Sequence, residues 1–138
     1  MTKKEILISL ENIHNETNEI ELKQIINLLI IIFYSNLQEK LIPLSSPLAL
    51  KIIDKAKKFN IDVDFYGERF LIDQSIIKLK KSVEDKDMEI LLTIFSTSIK
   101  LGFISEFKEL IDSISPLLEK YRSASFYEFT DSKNQTLH

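Results

Sequence analysis

Asp87-Met88-Glu89-Ile90-Leu91-Leu92-Thr93-Ile94-Phe95-Ser96-Thr97-Ser98-Ile99-Lys100-Leu101-Gly102 decides the fold class. Met88, Leu91, Leu92, Phe95 and Ile99 recur at i, i+3, i+4, i+7 and i+11, which is the period of one helix face. The acidic run Glu84-Asp85-Lys86-Asp87 breaks the pattern upstream and offers Asp87 as N-cap, while Gly102 is a natural C-terminal stop. A strand has no use for this spacing.

The same period extends in both directions along the chain. Upstream, Leu28-Leu29-Ile30-Ile31-Ile32-Phe33-Tyr34 is apolar around most of a helical circumference. A helix running from about Glu19 to Lys40 would therefore have neighbours on several sides. Together with Asp87–Leu101 it makes two apolar helices expected at the centre. Thr2-Lys3-Lys4-Glu5 has capping-box spacing, and Ile6, Leu10 and Ile13 follow on one face. Pro43 closes the second helix. Ser46 then reads as an N-cap before Pro47, opening a third helix whose stripe is Leu48, Ile52, Ile53, Ala56 and Phe59, with Asn60 as its stop. Ile76, Leu79 and Val83 continue the helical period, as do Phe103, Phe107, Leu110, Ile111, Ile114, Leu118 and Tyr121 downstream. Pro116 inside that last run predicts a kink or a fresh start.

Only residues 61–72 are ambiguous. Ile61-Asp62-Val63-Asp64-Phe65 alternates apolar and acidic residues, and Tyr66-Gly67-Glu68 could turn the chain back into Arg69-Phe70-Leu71-Ile72. That describes a short β-hairpin, with a short helix carrying Phe65, Arg69 and Phe70 as the competing reading. The expected architecture is thus mainly α: an irregular bundle of about six helices, with one hairpin left open near 61–72. Residues 1–125 are expected to form a single domain, and 126–138 an aromatic stretch and a flexible polar tail.

Composition agrees with helices and narrows the chemistry. The 138 residues include only two Gly and three Pro, too few for the turns of a β-sandwich. Cys is absent, which removes disulfides, thiolate metal sites and cysteine nucleophiles, and the cytoplasm is the expected location. Ile25–Leu37 is interrupted by Asn27, Ser35 and Asn36, so no membrane insertion is expected. The net charge of −3, with Arg69 and Arg122 the only Arg, gives little basis for nucleic-acid binding. Abundant Lys, Ile and Asn suggest AT-rich codons, hence an AT-rich genome such as that of a phage or plasmid.

Catalytic constellations are thin. His14 and His138 are the only histidines and form no metal-binding pair. Asp62, Asp64, Gly67 and Asp73 fall at positions one, three, six and twelve of a twelve-residue run, a spacing similar to an EF-hand calcium loop. Tyr66 at position five, Arg69 at eight and the short Asp73 at twelve all depart from that pattern, and no second loop accompanies it. The expectation is therefore no metal, no cofactor and no catalytic residue. Paired carboxylates in 62–73 or 84–89 are the sole route to an enzyme.

By elimination the chain reads as a protein-binding module of the inhibitor, immunity, antitoxin or anti-defence kind. A homo-oligomeric regulatory or structural subunit is the alternative, with a DNA-binding regulator or a carboxylate enzyme behind it. The expected contact surface is Asp62, Asp64, Tyr66 and Glu68, an acidic loop with one aromatic, suited to a basic protein partner. Phe126, Tyr127 and Phe129 form the rival surface.

Overall fold

The structure is a computed structural model that describes residues 1–114 together with 116, 117 and 119. Among these it contains α1 (Lys3–Glu16), α2 (Ile20–Tyr34), the single turn α3 (Gln38–Leu41), a 3-10 turn (Pro43–Ser45), α4 (Ser46–Lys57), α5 (Gly67–Lys80), α6 (Lys86–Leu101) and α7 (Ile104–Asp112), with no strand. The chain is mainly helical, as its periodicity requires.

Several helix boundaries lie where local chemistry places them. Thr2 and Glu5 form the expected capping box at α1. Gly102 ends α6 at φ +80°, where Phe103 N–H donates to Ser98 O at 2.8 Å across the left-handed turn. α7 stops at Asp112, short of Pro116. Tyr121 and the aromatic stretch Phe126, Tyr127 and Phe129 lie outside the described residues, as does the tail to His138.

Other boundaries are shifted. The second helix stops at Tyr34 rather than running to Lys40. Asn36 takes φ +56°, Leu37 N–H donates to Ile32 O at 2.9 Å, and Asn36 N–H donates to Phe33 O at 3.3 Å. Asn tolerates this left-handed conformation, so it ends a helix almost as Gly does. Lys3 Nζ donates to Tyr34 O at 2.6 Å and supplies a cation to the negative end of α2, although burial pushes its pKa below the ordinary lysine value. Ser45 rather than Ser46 precedes α4, and its hydroxyl turns back to Ile42 O without capping. Asp85, not Asp87, caps α6 by accepting from Asp87 N–H at 2.9 Å and Met88 N–H at 3.0 Å.

The hairpin at 61–72 is not formed. Gly67 opens α5, and Ile72, Ile76 and Leu79 bury at i, i+4 and i+7, which only a helix achieves. A lone two-stranded ribbon at 61–72 would have been only marginally stable.

The core draws most heavily on α2, with eight buried residues, and α6, with nine. α2 packs chiefly on α1 and α7, while α6 meets α5, α4, α7 and α3. Phe95 of α6 stacks on Phe107 of α7 with ring centroids 5.2 Å apart. Among the described residues one acid is fully buried: Asp73 on α5 accepts from Ser96 Oγ and lies 3.7 Å from Lys100 Nζ. No single helix among the described residues is long and apolar enough to cross a membrane.

Leu29 and Phe95 are completely buried. Leu29→Ala should cost ~2–5 kcal/mol and Phe95→Ala ~3–5 kcal/mol, whereas the exposed Lys78→Ala should stay within ~0.5 kcal/mol. Chemical denaturation checks this, and an unmoved midpoint for Leu29→Ala would remove α2 from the core.

Candidate functional site

The site is built from the C-terminal end of α6. A helix end leaves its last carbonyls without intrahelical donors, and buried ones must find donors elsewhere. Two of these carbonyls recruit the last turn of α4 and the chain that follows it. Lys55 Nζ donates to Leu101 O and lies 5.1 Å from the Phe103 ring, while Asp62 N–H donates to Lys100 O at 2.9 Å. Asp62 Oδ1 in turn accepts from Asp64 N–H at 2.8 Å, closing a local turn. The Asp62 carboxyl group lies directly on Gly102, where an added Cβ would come within 2.9 Å of its Cγ.

The next polar residues also turn inward. Glu68 accepts from Asn18 N–H at 2.5 Å and Glu19 N–H at 3.0 Å, placing a carboxylate at the positive end of α2. Arg69 holds Glu19 through Nε at 3.1 and 3.2 Å and through Nη2 at 2.7 Å. That hydrogen bond to Glu19 raises the Arg69 pKa further, helped by the nearby charges of Glu19, Asp64 and Asp62 and opposed by burial. A shallow concavity bounded by Glu19, Asp64, Tyr66, Gly67, Glu68 and Arg69 marks the junction of α2 with α5.

Asn60 and Asp64 stay outward, and beside them stands a group of exposed apolar side chains. Phe59 is 92% exposed, Val63 is 90% exposed, and Ile61, Tyr66, Phe70 and Leu71 are exposed as well. Six of the thirteen exposed large apolar side chains among the described residues thus fall within 59–71. Polarity over this segment is inverted in part: Asp62, Glu68 and Arg69 bond within the protein while Ile61, Val63, Tyr66, Phe70 and Leu71 face water. Phe59 is also held at φ +51°, a left-handed conformation that is strained for a bulky residue.

The structure therefore divides the four residues expected at the contact surface. Asp64 and Tyr66 are exposed, whereas Asp62 and Glu68 are half-buried and hold the fold together. Phe59, together with Ile53 and Ala56, is expected from spacing on the buried stripe of its helix; all three are exposed, and α4 buries only Leu48 and Ile52. The stop expected at Asn60 is taken by Phe59 itself. Alternation at 61–65 signals two opposed faces, but not which one points outward. The calcium-like spacing has no loop to act in, since 67–73 is helical. Among the described residues no three His, Asp or Glu gather in a way that could hold a metal ion.

In comparisons with protein-family models, curated proteins and solved structures, the chain finds no match.

Gly102→Ala should cost ~1–3 kcal/mol, from left-handed strain plus displacement of the Asp62 carboxylate. Hydrogen exchange at the Asp62 and Asp64 amides should accelerate with it; unchanged exchange would detach the segment from the α6 terminus. Glu68→Ala should cost ~1–2 kcal/mol in the same denaturation assay, through lost charge-assisted bonds at the start of α2.

Proposed function

We propose that the chain is a non-catalytic protein-binding module whose contact surface is residues 59–71. The observation that carries the reading is the inverted polarity of that segment. Exposed apolar side chains scattered singly are ordinary, but their clustering over the connection after α4 and the first turn of α5 is characteristic of contact surfaces. The scaffold is rigid where it matters: Asp62, Glu68 and Arg69 fix the segment to α6 and α2 before any partner arrives. Such preorganisation lowers the entropic cost of binding.

A partner suited to this surface offers an apolar recess for Phe59, Val63 and Tyr66 and basic groups near Asp64. Aromatic anchors supply most of the affinity and the rim charge chiefly sets the association rate. Inhibitors, immunity and antitoxin-like proteins and anti-defence factors all work by contact of this kind. The acidic groups have a smaller share than their number suggests, because Asp62 and Glu68 are already engaged.

A double variant, Phe59→Ser with Val63→Asp, tests the reading. Both sites are exposed, so unfolding stability should change by no more than ~0.5 kcal/mol per site. In capture from the native host, the wild-type chain should retain a protein that the variant retains at least ~10-fold less, the loss expected when hot-spot side chains are removed. Equal retention by both would sink the proposal.

A further inference from the structure

We propose that Asp73 is a positioning residue for the contact surface: with Ser96 and Lys100 it fixes residues 62–73 to the end of α6, at a cost in folding stability. The inference rests on the reading of 59–71 as a contact surface and says what holds that surface in place.

Asp73 is fully buried where α5 meets α6, yet its carboxylate is poorly served. Oδ1 accepts from Ser96 Oγ, whereas Oδ2 accepts no hydrogen bond among the described residues and has Lys100 Nζ 3.7 Å away. A buried carboxylate with one hydrogen bond and one long ion pair stabilises a fold less than a well-packed apolar group of its size. What it contributes is direction. Ile72, Ile76 and Leu79, the other buried residues of α5, are aliphatic and pack without directional preference, while Asp73 meets Ser96 and Lys100 in one register only.

Lys100 ties that register to the contact surface. Its side chain faces Asp73, and its carbonyl oxygen accepts from Asp62 N–H at 2.9 Å. Residues 62–73 are thus attached at both ends to one residue of α6, and the exposed Val63, Tyr66, Phe70 and Leu71 lie between the two attachments. Closing the stretch on a single point removes much of its freedom before a partner arrives.

Chemical denaturation and hydrogen exchange of the full chain test the role. Asp73→Val with Ser96→Ala removes the acid and its hydroxyl partner together, so the denaturation midpoint should stay at or above that of wild type. Despite that stability, the Phe65, Tyr66 and Leu71 amides should exchange ~10-fold or more faster, the effect on local opening of losing one charge-assisted bond. Asp73→Asn is nearly isosteric, keeps an oxygen for Ser96 and removes only the charge facing Lys100; it should accelerate the same amides less. Lys100→Met strands the buried carboxylate and should lower the midpoint, but should lower it no further when added to the paired variant. A lowered midpoint in the paired variant makes Asp73 an ordinary stabiliser and overturns the proposal. Unchanged exchange at these amides in both Asp73 variants overturns it equally. In capture from the native host, the paired variant should retain ~10-fold less of the protein that wild type retains, because affinity falls with the fraction of chains holding the segment in place. If Phe59→Ser with Val63→Asp abolishes retention while the paired variant retains as wild type does, placement does not serve binding and the positioning role is lost. Equal retention by wild type and Phe59→Ser with Val63→Asp sinks the contact surface instead, and accelerated exchange would then still show that Asp73 places residues 62–73.

Discussion

The carbonyls at the end of α6 constrain more of this protein than any other group. α6 is buried along most of its length, so its last turn has little water to satisfy Lys100 O and Leu101 O. The donors come from the chain that follows α4 and from its last turn, namely the Asp62 amide and the Lys55 ammonium. Asp73 of α5 reaches the Lys100 side chain on the same turn of α6. One helix terminus therefore gathers the end of α4, the connection after it and α5. Gly102 provides the space in which Asp62 lies, and its left-handed backbone turns the chain toward α7.

That gathering fixes the polarity of the connection. With the Asp62 amide bonded to the end of α6 and its carboxyl group lying on Gly102, the flanking Ile61 and Val63 are left on the solvent side of the connection. Glu68 and Arg69 repeat the logic at the start of α2, and Tyr66 and Leu71 are left to solvent. An unmet buried carbonyl costs about 1–3 kcal/mol, comparable to the burial of one such side chain, so satisfying the helix termini offsets part of what the exposed apolar groups forgo. The apolar strip follows from how the helix ends are capped, and it is available for contact because nothing among the described residues covers it.

The buried Asp73 acts on the same helix contacts. It lies between α5 and α6 with Ser96 and Lys100 as its partners, and Lys100 belongs to the last turn of α6. An acid in an apolar interface penalises any sliding of α5 along α6 that would strip it of these partners.

The amino-acid sequence by itself determined the helical class, the capping box at Thr2 and Glu5, the stop at Gly102 and the buried face Met88, Leu91, Leu92, Phe95 and Ile99. Each of these depends on residues within about one or two helical turns, where spacing and backbone preference act without help. Local signals were less sharp where several residues could serve one role, as with Asp85 and Asp87 or Ser45 and Ser46, which all carry oxygen acceptors a short distance apart. Tertiary structure decided the helical rather than hairpin form of 67–72 and the outward turn of Phe59, Ile61 and Val63. Alternating apolar and acidic residues define two faces but carry no label for inside. The label came from Lys100 O and Gly102, about forty residues away along the chain, which offered Asp62 an acceptor for its amide and room for its carboxylate.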